Sequence, residues 1–131
     1  MSGTKVLISY LKNDAELMSM LYEQPYIFQL EKPNQPEYTD LDPFIVILEK
    51  IVNSNNGVHD VQFEFRIVSA NSTATLNIQQ RLIELLDKVR QEYLTDGETV
   101  IRRISLLNGG GTVKSPDYDK WETIVFFLAK I

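Results

Sequence analysis

The chain has 131 residues, no cysteine and a net charge of -5. That length fits one domain spanning residues 1–131, and the missing thiols exclude disulfides, thiolate zinc sites and cysteine nucleophiles. The acidic balance disfavours binding to a phosphate backbone, and no stretch reaches the ~20 apolar residues that a membrane helix needs.

Thr4 to Leu21 reads as helical with a break in the middle. Val6, Leu7, Tyr10 and Leu11 share one face at helical spacing. Asn13 or Asp14 then offers an N-cap, with Glu16 in the next turn and Leu17, Met18 and Leu21 behind it. Pro25 to Leu30 is a short strand. Glu31 to Pro43 carries three prolines among polar residues and predicts a long loop, residues 31–43. Phe44 to Val52 is β-branched and apolar, hence a strand. Asn56-Gly57 marks a hairpin turn, after which Val61, Phe63, Phe65 and Ile67 alternate with Gln62, Glu64 and Arg66. Together these predict an antiparallel hairpin of Phe44–Val52 with Val58–Val68.

Ser69 to Leu94 has the pattern of a long helix. Asn71 or Ser72 caps it, and Ile78, Leu82, Leu85, Leu86, Val89 and Tyr93 form its apolar stripe. Asp96-Gly97 ends the segment. Glu98–Leu107 and Trp121–Ile131 are the closing strands. The expected fold is α+β: an antiparallel sheet of about four strands, with the long helix and the short N-terminal helical segment packed against it.

The stretch NGGGTVKS, Asn108 to Ser115, resembles a phosphate-binding loop at first sight. A P-loop needs glycine directly before the lysine and a helix after it. Here Val113 precedes Lys114, and Pro116 and an aromatic strand follow. The dinucleotide pattern fails too, because Lys114 stands where its third glycine belongs. A flexible hairpin arm over residues 108–120 is the expectation, with Lys114, Asp117, Tyr118, Asp119 and Lys120 placed to order on a partner.

No set of residues converges on catalysis. His59 is the single histidine, and its neighbour Asp60 points to the other side of a strand. Glu31, Glu37, Asp40, Asp42, Asp117 and Asp119 lie in loops without an apolar surround. The Asp40-Asp42 spacing lacks the further ligands of a calcium loop. The sequence therefore predicts no catalytic, cofactor-binding or metal-ligating residues and no enzyme activity.

Two strands are apolar on both faces. On the last, Trp121, Thr123, Val125, Phe127 and Ala129 oppose Ile124, Phe126 and Leu128. On the earlier one, Ile45, Ile47 and Ile51 oppose Phe44, Val46 and Leu48. Leu76 and Ile83 add an off-stripe pair on the helix. A single-layer sheet under helices should be polar on its far side, so either a second layer or another subunit covers these residues. The expected interface set is Leu76, Ile83, Ile45, Ile47, Ile124 and Phe126, joined by Arg102 and Arg103, the one basic pair on a strand, and by Lys114, Asp117 and Tyr118.

The order of elements resembles the tail-terminator, or tail-completion, proteins that join tail to head in long-tailed bacteriophages. The matching pieces are VLISYLKNDAELMSMLYEQPYIFQL, DPFIVILEKI, VHDVQFEFRIVSANSTATLNIQQRLIELLDKV and WETIVFFLAKI. The resemblance implies a virion protein of the tail or neck, assembled in the bacterial cytoplasm, that caps the tail tube as an oligomeric ring, a hexamer. Its implied partners are other copies of itself, the tail tube protein and the head-completion or connector protein. DNA would only pass through the lumen, and no membrane or cofactor is implied. A second reading is a small adaptor or ligand-binding enzymatic domain that uses a helix–sheet pocket with His59, Arg66 and Arg103.

Overall fold

A computed structural model describes residues 3–32, 41–55, 57–87, 93–116 and 119–131. Two helices open the chain, α1 (Gly3–Lys12) and α2 (Ala15–Met20). Asp14 divides them. Its backbone is extended, at φ -88° and ψ 112°, and its carboxylate accepts the Leu17 N–H at 2.8 Å, so it caps α2. Three strands follow: β1 (Ile27–Gln29), β2 (Phe44–Asn55) and β3 (Val58–Ser69). Then come α3 (Ser72–Leu86), β4 (Leu94–Thr95), β5 (Val100–Ile101), β6 (Arg103–Ser115) and β7 (Lys120–Lys130).

The main sheet has five strands in the order β1-β2-β3-β7-β6. It is mixed, which corrects the expected four antiparallel strands. β1 lies parallel to β2, with Ile27 opposite Ile45 and Gln29 opposite Ile47. A parallel neighbour needs a connection of about a dozen residues or more, and the chain from Leu30 to Pro43 supplies it. The other three pairings are antiparallel. The β2–β3 hairpin closes at Asn55 and Val58, with Gly57 at φ 81°. Asn56 lies outside the described residues.

The helices form one layer on one face. Val6, Leu7 and Leu11 of α1, Leu17 and Leu21 around α2, and Ile78, Leu82, Leu85 and Leu86 of α3 are buried there. They pack on Ile45, Ile47, Phe63, Phe65, Ile67, Val125 and Phe127. Each such side chain contributes about 1.5–3 kcal/mol through burial. Phe65 meets Phe127 edge-on at 5.3 Å between centroids, a geometry that the ring quadrupoles favour. A second, smaller cluster of Leu41, Phe44, Val46 and Val68 lies on the opposite face and includes no helical residue.

α3 is shorter than its periodicity predicts. It ends at Leu86, and Asp87 leaves helical geometry at ψ 69°. The Asp87 carboxylate accepts the Leu106 N–H at 2.9 Å, so a tertiary contact wins over local pattern here. Val89 lies outside the described residues, and Tyr93 is exposed beyond the helix. The strand expected over Glu98–Leu107 divides into β5 and β6. β5 pairs with β4 around Asp96-Gly97, where Gly97 has φ 96°.

The largest departure concerns the glycines. Asn108–Ser115 is not a loop but the second half of β6, paired with β7 from Asn108↔Phe126 to Ser115↔Lys120. The strand absorbs its glycines through register shifts at Leu106/Asn108 and Gly109/Gly111. Gly111 takes φ 83°, which only glycine adopts freely. A Cβ on Gly110 would sit 3.0 Å from Ile124 Cβ and 3.1 Å from the Ile124 carbonyl oxygen. The triplet lets one strand pass close over another. Asp117 and Tyr118 lie outside the described residues.

Candidate assembly surface

Polar side chains fix the layers before any surface is presented. Glu49 continues the inward-facing series Ile45, Ile47 on β2, yet it is charged. Its Oε1 accepts the Thr4 N–H at 3.0 Å and the Thr4 hydroxyl at 2.7 Å. A strand carboxylate thereby caps the first helix, where the helix dipole favours negative charge. Asp14 binds Arg81 of α3 through two bonds, at 2.9 and 2.6 Å. Glu16 and Glu84 each lie 3.0 Å from the same guanidinium. The Asp14 hydrogen bonds push the Arg81 pKa further up, so the charge is fixed and the cluster joins α2 to α3. Asp42 accepts the Ser69 hydroxyl at 2.6 Å and the Ala70 N–H at 3.0 Å. Lys120 sits 3.8 Å from Asp42 and donates to the Leu41 carbonyl at 2.8 Å. Expected to be a solvated loop charge, Asp42 instead ties β3, β7 and the entry to β2 together.

With the helices on one side, the other face of the sheet is the available surface. Its apolar row is Ile124, Phe126 and Leu128 of β7, all half-buried. Beside it on β3 stand Arg66, Glu64 and Gln62, opposite those three residues in turn. Arg66 and Glu64 are ion-paired. At one end of this face Tyr26, Phe28 and Leu48 pack against the smaller cluster. Phe28 lies 6.3 Å from both the Tyr26 and the Phe44 rings.

The remaining interface candidates scatter. Ile45 and Ile47 are fully buried; the helical layer of this same chain covers them, which takes them off the surface expected to meet a partner. Ile83 is half-buried against the main core, and Leu76 is exposed. Arg102 and Arg103 are exposed. Arg102 borders a shallow hollow of about 410 Å³ with Glu98, Thr99, Val100 and Ile131. Lys114 stands 5.4 Å over the Trp121 ring and 3.8 Å from Asp119.

Among the described residues, His59, Arg66 and Arg103 do not converge on one helix–sheet pocket. His59 sits at the mouth of the β2–β3 hairpin, where its backbone exchanges two 2.9 Å bonds with Ile131. Its Nδ1 is buried without a hydrogen-bond partner among the described residues. Arg66 lies roughly 20 Å further along β3, six positions past Asp60. Arg103 is opposite Lys130 at the start of β6. Among the described residues no three His, Asp or Glu side chains are grouped to hold a metal ion.

Several structural anchors escaped sequence reasoning. Glu49 had a visible signal, a lone charge on the apolar side of an alternating strand. The Asp14–Arg81 pair had only half of one, because capping by Asp14 is local while Arg81 is 67 positions away.

A scan of the chain against protein-family profiles finds no match, and a search of curated proteins finds none either. Among solved structures, the fold matches a chain of a virion of a native gene transfer agent particle. The superposition has a TM-score of 0.76 at 11% identity and covers 98% of this chain and 93% of that one. The two chains therefore share a fold over nearly their whole lengths.

Proposed function

We propose that this chain is a structural protein of a phage-like virion that closes the end of a tail tube as an oligomeric ring and joins the tail to the head. The observation that carries this reading is the near-complete fold match to a chain of a gene transfer agent virion. The resemblance in element order to tail-terminator proteins supports it from the sequence side. The half-buried Ile124, Phe126 and Leu128, left without a helical cover among the described residues, support a protein built to meet others.

In this reading the ring is a hexamer, its partners are the tail tube and the head connector, and the protein has no enzymatic role. The net charge of -5 suits a channel through which DNA passes without adhering. Complementation tests the proposal. Particles made with this reading frame disrupted should accumulate as separate heads and unfinished or overlong tails. Added purified protein should convert them to infectious virions, seen by electron microscopy and plaque counts. Normal virions without the protein would remove the tail role.

A further inference from the structure

The sheet ends in two edges whose geometry matches. Among the described residues β1 has a neighbour only in β2, and β6 only in β7; on β1 the Ile27 N–H and the Gln29 carbonyl already bond locally, to the Pro25 carbonyl and the Glu31 N–H. On β6 the Leu106 N–H is taken by Asp87. From Leu107 to Lys114 no further strand lies on the outer side among the described residues. The strand pairings fix the relative heights of the two edges. Gln29 is level with Ile47, Phe65, Val125 and Gly109, and Ile27 is level with Ile45, Ile67, Thr123 and Thr112. Leu30 therefore stands at the height of Leu107 and Asn108, and Tyr26 at the height of Val113.

The side chains at these heights are apolar and unexpectedly open. Leu30 is 64% exposed, Leu107 46% and Val113 50%. Direction agrees as well. Three successive antiparallel pairings separate β2 from β6, and β1 runs parallel to β2, so β1 and β6 run in opposite senses. A second copy set beside the first in the same orientation brings β6 antiparallel to β1. Unpaired edge strands are templates for such addition, and a contact between two different edges repeats head to tail and closes into a ring when its rotation allows.

We infer that residues Leu107–Lys114 of β6 pair with Tyr26–Leu30 of a second copy of this chain, making the sheet continuous across the subunit boundary. This rests on the ring reading above and specifies its lateral contact.

The chain has no cysteine, so crosslinking reports introduced thiols alone. Leu30→Cys and Leu107→Cys proteins are purified separately, checked for native circular dichroism and mixed with oxidant. Protein concentration is raised, with tail tube added, until light scattering records species above the monomer. The mixture should give a disulfide-linked dimer, and each protein alone only background. Asn108→Cys tests the adjacent register. Mixing Leu30→Cys with Val113→Cys, whose level on β6 is roughly 13 Å away by strand rise, should give none, because a disulfide needs Cα atoms within about 7 Å. Dimers from Leu107→Cys alone, or from the Leu30 and Val113 pair, would overturn the proposed pairing. Assembled species without any Leu30–Leu107 or Leu30–Asn108 crosslink would overturn it while leaving the ring intact. A chain that stays monomeric with tail tube present would remove both.

Discussion

Gly3 stands where three parts of the chain converge. A Cβ there would fall 2.6 Å from Ile131 Cδ1 and 2.7 Å from Phe63 Cζ. Phe63 is fully buried in the main core and Ile131 nearly so, so neither can retreat far. Gly3→Ala should destabilise the fold by about 1–3 kcal/mol, the usual cost of overpacking, read as a lower urea midpoint with an unchanged slope. Asp96 makes a different prediction. Its carboxylate accepts the Thr99 N–H at 2.9 Å and the Glu98 N–H at 3.0 Å, and these bonds hold its pKa below the ordinary 3.8. A depressed carboxylate pKa stabilises the fold above the unfolded value and loses that contribution as pH falls through the folded one. The stability difference between the native chain and Asp96→Asn should therefore be constant at neutral pH and shrink below about pH 4. Denaturation curves across that range check it.

Elements are joined here by a few long-range polar bonds, and these respond separately. Arg81→Met keeps a long apolar stem but removes the fork that binds Asp14, Glu16 and Glu84. A loss of about 1–3 kcal/mol is expected, with faster amide exchange in α2 than in α3, because α2 itself buries only Leu17 whereas α3 buries Thr75, Ile78, Leu82, Leu85 and Leu86. Glu49→Ala leaves the buried Thr4 N–H and hydroxyl unsatisfied and should cost about 1–2 kcal/mol. Glu49→Gln, which keeps an acceptor, should cost less.

What the sequence revealed at this scale follows from locality. The β2–β3 hairpin was legible because Phe63, Phe65 and Ile67 alternate cleanly and the sequence places a glycine, Gly57, at the turn, where it takes φ 81°. The break between α1 and α2 was legible because Asp14 caps through its own neighbours. The parallel placement of β1 was not, since nothing within Ile27–Gln29 encodes which edge it joins. The glycines of β6 read as a loop because glycine lowers strand propensity; pairing with β7 overrides that, and the bulges remove the conflict. The open face was visible as double-sided hydrophobicity in β7. In β2 the same signal had a different origin, because helices cover Ile45 and Ile47 while Leu41 and its cluster cover Phe44 and Val46.

As a whole, the described residues form a five-stranded main sheet with the three helices on one side and a separate two-stranded ribbon, β4–β5. Stability and assembly thus draw on different faces. Away from the buried cluster of Leu41, Phe44, Val46 and Val68, substitutions in the half-buried row of the open face should act on assembly more than on the monomer. Phe126→Ser removes a half-buried ring and should cost about 1–2 kcal/mol of stability, below the 3–5 kcal/mol typical of a buried Phe→Ala change. Incorporation into particles should fall far more steeply than the melting temperature, measured by quantifying the protein in purified virions. A proportional loss of both would mean that the row serves only the fold.

Three threonines give the interior a sense of direction. The Thr75 hydroxyl donates to the Ser72 carbonyl at 2.7 Å, and Thr123 donates to Thr75 at 2.7 Å. The 2.8 Å contact between Thr112 and Thr123 is then settled by subtraction. A hydroxyl has one proton, Thr123 has already committed its own, and so Thr112 must be the donor. The three dipoles point one way, from the sheet edge to the first turn of α3, and each depends only on the residue ahead of it. Damage should be ordered accordingly. Thr112→Val leaves both other donors satisfied, whereas Thr75→Val removes the bond to the Ser72 carbonyl and turns the Thr123 proton back onto Thr112, whose own proton must then find solvent. Two substitutions of identical shape, at opposite ends of the same file, should thus be far from equal in cost.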